Sequence, residues 1–174
     1  MLKYCFIKDE HTGLVQLGVG CPDTYYMQIG MQKREVEQSE KDYQWYLAEK
    51  CPHYTEKEKL ENAKNIKIFE NDDIRNATLN QGVTYQDILF DSDTDQKINL
   101  LATVSMMSDT DTIEWFGMNN DSLICTKQDL INIGGLITEL HSFVWNKNAE
   151  IKTEINEAET IEEVESIKID YNIQ

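Results

Sequence analysis

From Lys127 to about Ala158 the chain reads as one uninterrupted helix, and no other stretch limits the fold so strongly. Leu130, Ile137, Val144, Ile151 and Ala158 recur at seven-residue steps, which puts them in one apolar seam along a helix. Ile133 and Leu140 supply the second heptad position in the first half, whereas Lys147 and Glu154 interrupt it in the second. The pattern is half a zipper followed by a narrower stripe. Leu130, Ile133, Ile137, Leu140, Val144 and Ile151 are the residues expected to make contact along it. A helix of roughly 30 residues spans about 45 Å, more than a domain of this size ordinarily needs inside itself. The seam is therefore expected to meet a copy of the chain or a partner, the alternative being packing on the chain's own sheet and first helix. Gly134-Gly135 would weaken an isolated helix by about 2 kcal/mol relative to Ala-Ala, so another backbone is expected close to them.

The helix opens at Thr126-Lys-Gln-Asp129, which matches the capping-box pattern in which a hydroxyl and a carboxylate each satisfy the other residue's backbone N–H. The same pattern recurs at Thr55-Glu-Lys-Glu58 and at Thr160-Ile-Glu-Glu163, predicting two more helix starts. Ahead of the long helix, Val83 to Phe90 reads as a strand. Asp91 or Ser92 then caps a helix to about Ser108, with Ile98, Leu101 and Ala102 at helical spacing and Leu100, Val104 and Met107 widening the stripe. Thr112 to Met118 and Ser122 to Thr126 read as two strands joined by the turn Asn119-Asn120-Asp121.

Residues 1–50 read as a β-rich module. Leu2, Tyr4 and Phe6 alternate with Lys3, Cys5 and Ile7, Gly13 supplies a turn, and Leu14 to Val19 runs back. A short helix is expected from Pro22-Asp23 to Gly30, followed by strands at Val36 to Ser39 and Tyr43 to Leu47, with Tyr43, Trp45 and Leu47 on a core-facing side. Residues 51–82 read as a charged helix to about Lys67 and then a connector from Asn71 to Gly82, and residues 83–174 form the C-terminal module. The fold class is α+β.

A chain of 174 residues buries roughly two-thirds of its unfolded surface and is expected to fold without metal or disulfides. Its formal net charge of -16 repels phosphate, which argues against nucleic acid and anionic membrane as partners and favours a basic one. The four cysteines, Cys5, Cys21, Cys51 and Cys125, are scattered without a CxxC pair, and the first ten residues meet charge too soon for a signal peptide. A reducing cytoplasm is the expected place of synthesis. Asp91-Ser-Asp-Thr-Asp95 begins like a calcium loop, but Gln96 and Ala102 stand where the loop needs Gly and Glu. Cys51-Pro-His53 with Cys21 offers soft ligands at a spacing that matches no zinc pattern, and Gly18-Val-Gly20 lacks the third glycine of a dinucleotide site. No catalytic, cofactor-binding or metal residue is assigned, and a non-enzymatic role is expected.

The second half of the chain resembles the uncharacterised domain at the end of many phage and prophage tail proteins. The residues that carry the resemblance are Val83-Thr-Tyr85, Phe90-Asp91, Ile113-Glu-Trp-Phe116, Leu123 to Thr126, Gln128-Asp-Leu130, Glu154-Ile-Asn-Glu-Ala158 and Thr160-Ile-Glu-Glu-Val164. The first module looks like the start of small tail proteins of clostridial-type phages, through Gly30-Met31, Glu35-Val-Glu-Gln-Ser39 and Trp45-Tyr-Leu47. The resemblance implies a structural or adaptor component of a phage tail, at the baseplate or at tail-fibre attachment, with a tail-fibre assembly chaperone as the alternative. It implies other tail proteins as partners, synthesis in the host cytoplasm and a place in the particle. The helix seam and the aromatic residues Trp115 and Phe116 are the expected contacts, with strand addition at open edges of the first module as a second one.

Overall fold

The computed structural model, which describes residues 1–172, begins with a strand whose buried face is set by its neighbours. In β1 (Leu2–Ile7), Leu2, Tyr4 and Phe6 lie opposite Glu35, Lys33 and Gln16, while Cys5 and Ile7 lie opposite Leu17 and Val15. Side chains on one face of a sheet stabilise one another in pairs, so the face with apolar partners turns inward. Cys5 is fully buried, and Leu2 and Phe6 are exposed. The other strands are β2 (Val15–Leu17), β3 (Gln32–Gln38) and β4 (Trp45–Leu47), in the antiparallel order β2-β1-β3-β4. Cys5, Val15, Val36 and Leu47 form the core of this sheet.

The short helix α1 (Asp23–Gln28) lies where the sequence places it, and Gly30 follows with φ +81°, as a helix terminator does. One expectation for this part is corrected. Tyr43 does not join Trp45 and Leu47 on the core face: it sits in a turn at φ +59° and is exposed. The sheet also curls, so that Leu14 bridges Tyr46 and the Leu47 N–H donates to the Gly13 carbonyl at 2.8 Å. That contact joins the turn before β2 to β4.

All three capping boxes form. Thr55 and Glu58 exchange theirs at the start of α2 (Glu56–Leu79), and the Lys41 ammonium and Thr55 groups bonded to Glu58 hold its carboxyl at about 2. Contacts divide the chain into Met1–Lys59 and Leu60–Gln174, a division that falls inside the first turns of α2. The expected connector from Asn71 to Gly82 is instead helix as far as Leu79. Ile68, Ile74 and Leu79 pack into a core and Asn71 and Thr78 are buried beside them, so polar residues on the inner face disguise the stripe.

The expected strand from Val83 to Phe90 is a hairpin, β5 (Val83–Tyr85) and β6 (Ile88–Phe90). Its turn residues Gln86 and Asp87 have φ +48° and +65°, the backbone that a two-residue hairpin turn needs. Next comes α3 (Thr94–Met106), capped by Asp93 rather than Asp91 or Ser92, with the Asp93 carboxylate accepting from the Gln96 N–H at 2.7 Å. Ser92 is buried, and its hydroxyl donates to the Leu79 carbonyl. The expected second hairpin forms as β7 (Thr112–Phe116) and β8 (Ser122–Thr126), with Asn120 at φ +62° in its turn.

The long helix α4 (Lys127–Glu157) is followed by α5 (Ile161–Ser166), each opened by its capping box. Its first half packs Leu130, Ile133 and Ile137 with Phe90, Leu100 and Cys125, and its second half packs Leu140, Val144, Ile151 and Ile155 with Tyr171. Two consecutive cores along one helix account for its length. The stripe is not broken in its second half. It moves one residue on, to Asn148 and Ile155, because a straight helix drifts against a seven-residue repeat. Among the described residues no helix is long and apolar enough to cross a membrane.

Candidate interaction surface

The six seam residues Leu130, Ile133, Ile137, Leu140, Val144 and Ile151 are all buried in the chain's own core. The seam is therefore already covered, and a partner must be met by other side chains. Strand alternation also separates the two expected aromatic contacts. Trp115, opposite Leu123, packs on the core, while Phe116 points to the other face of the β7–β8 ribbon and is 58% exposed.

The apolar side chains left outside include Ile98, Leu101 and Met106 of α3. Leu100, Val104 and Met107 turn inward, but Ile98 and Leu101 are exposed, Leu101 by 72%. Leu101 and Val104 on one side and Ile131 on the other flank a groove of about 260 Å³ between α3 and α4, whose lining also includes Leu100, Gly134 and Ile137. Gly134 makes this groove: a Cβ there would stand 3.3 Å from Leu100 Cδ2, so the missing side chain lets α3 approach. Lys97 and Thr138 border it.

Gly135 has open space where its Cβ would lie and an ordinary helical backbone. Gly135→Ala should therefore stabilise the protein by about 1 kcal/mol, since alanine favours a helix interior over glycine by that amount. Gly134→Ala should gain less, because Leu100 has to shift. Chemical denaturation of the two variants measures the difference, and a loss of stability in Gly135→Ala would contradict this packing.

The four cysteines are free, with Cys5, Cys51 and Cys125 buried and Cys21 exposed. Cys51 lies beside His53, and Cys21 is not part of their group. The third group there is Glu37, and the three side chains place a sulfur, a ring nitrogen and a carboxylate oxygen within 4.8 Å of one another. Burial raises the Cys51 thiol above its ordinary range, and the Glu37, Asp42 and Glu40 carboxylates push it the same way. Glu37 was missed in sequence because it comes from a strand fourteen residues before Cys51, and only the pairing of β3 brings the two together.

Residues 62–171 match the family described as a domain of unknown function (DUF4376), and because that match covers more than half of the chain, the chain belongs to this family. No curated protein and no solved structure matches it.

Proposed function

We propose that this member of the DUF4376 family is a non-enzymatic adaptor of a phage or phage-like tail, placed at the baseplate or at tail-fibre attachment. The observation that carries the reading is the α3–α4 groove, an apolar site flanked by Leu101 and Ile131 on a chain of net charge -16. At that charge free copies repel one another, so the occupant is a different tail protein, offering an apolar anchor with basic residues around it. The resemblance to phage tail proteins supplies the setting, and the groove supplies a means of docking.

Mass spectrometry of tail particles purified from cells that make this chain tests the assignment. Presence at a fixed stoichiometry is the expected result. Presence in the lysate and absence from particles would overturn it and favour a fibre-assembly chaperone.

A further inference from the structure

We propose that Glu37, Cys51 and His53 form a binding site for a divalent cation of borderline softness, with Zn²⁺ the best fit. The three donors are a carboxylate oxygen, a thiol sulfur and an imidazole nitrogen, all within 4.8 Å of one another, and His53 Nε2 stands 3.7 Å from a Glu37 carboxylate oxygen. Mixed sulfur, nitrogen and oxygen donors select zinc-like metals over magnesium and calcium, which take oxygen. Zinc bonds of about 2.0–2.3 Å in a tetrahedron put neighbouring donors roughly 3.3–3.7 Å apart, so the longest separation here has to close by about 1 Å. Glu37 and His53 are both half-exposed and free to turn inward by that much.

The backbone prepares this arrangement. Cys51 is extended, with φ -63° and ψ 124°, and Pro52 fixes the next φ, so the short segment that carries Cys51 and His53 is restricted in conformation. The buried Ser39 hydroxyl donates to the Pro52 carbonyl at 3.0 Å and ties that segment down. Glu37 is carried by β3, whose pairing with β4 fixes where its side chain starts. Three ligands on supported backbone leave a fourth position for water or for a donor from another molecule, as open zinc sites do. This site lies in Met1–Lys59, outside the region that matches the family, and does not depend on the adaptor reading.

The test is a titration of the full-length, metal-free protein with Co²⁺, followed by competition for Zn²⁺ against a chromophoric chelator. The expected result is one ion per chain and a thiolate-to-cobalt charge-transfer band that Cys51→Ser removes and Cys21→Ser leaves intact. His53→Gln should weaken Zn²⁺ binding at least tenfold, about the loss that even outer-shell changes cause. His53 is exposed, so that variant keeps its fold, and circular dichroism checks this for Cys51→Ser. Absence of the band and of competition, persistence of the band in Cys51→Ser, or undiminished binding by His53→Gln would each overturn the proposal.

Discussion

Ile137→Asp should abolish cooperative folding of the Leu60–Gln174 unit. Ile137 has no exposed surface and packs among Phe90, Leu100, Leu130 and Ile133, so a carboxylate placed there meets neither water nor a partner. The expected loss is on the order of 5 kcal/mol, comparable with the whole stability of many domains. Ile137→Val, which keeps the shape and removes one methyl group, should cost about 1 kcal/mol. Circular dichroism and light scattering read the outcome together. A folded Ile137→Asp chain that has merely lost an association would show that the seam is an interface after all.

The second large effect is expected at the buried polar triad of the same unit. The Asn71 side-chain amide donates to the Asn148 carbonyl oxygen at 2.8 Å, and the Tyr171 hydroxyl donates to the Asn71 oxygen at 2.7 Å. All three residues are buried, so Asn71→Ala leaves the Asn148 oxygen and the Tyr171 hydroxyl with only the long 3.5 Å bond to each other. Losing the short bond costs about 1–3 kcal/mol at each group, which makes a total of roughly 2–6 kcal/mol. Tyr171→Phe alone should cost about 1 kcal/mol. Replacing all three together, as Asn71→Leu, Asn148→Leu and Tyr171→Phe, should recover much of the loss, because no unpaired group remains. Urea midpoints at constant slope measure this series. An Asn71→Ala variant as stable as the wild type would mean that the triad does not hold α2, α4 and the Tyr171 segment in register.

These two sites also explain what was legible in the sequence. Local signals were read well: three capping boxes, the Asn120 turn and the Gly30 terminator each depend on a few adjacent residues. Signals that depend on distant partners were not. Asn71 and Asn148 look like surface residues until each is seen to satisfy the other, and this hid both the end of α2 and the continuation of the α4 stripe. The face of β1 was set by Val15, Leu17, Lys33 and Glu35 on other strands. The six seam residues were identified correctly as one apolar row. Sequence spacing alone does not tell a row that meets another chain from one that meets its own hairpins and α3. The groove was hidden for the same reason, since Leu101 and Ile131 become neighbours only when Gly134 admits α3.

The competition of Leu101→Lys with the wild type for places in the tail particle bears most directly on the division between a buried seam and an exposed groove. Leu101 is exposed, so the variant should match the wild type in circular dichroism and melting temperature. A few residues near the centre of an interface contribute more than about 1 kcal/mol each, and 1.4 kcal/mol is tenfold in binding. When both chains are expressed together, quantitative mass spectrometry of purified particles should find Leu101→Lys reduced by about tenfold relative to the wild type. Equal incorporation of the two chains would contradict docking through the α3–α4 groove.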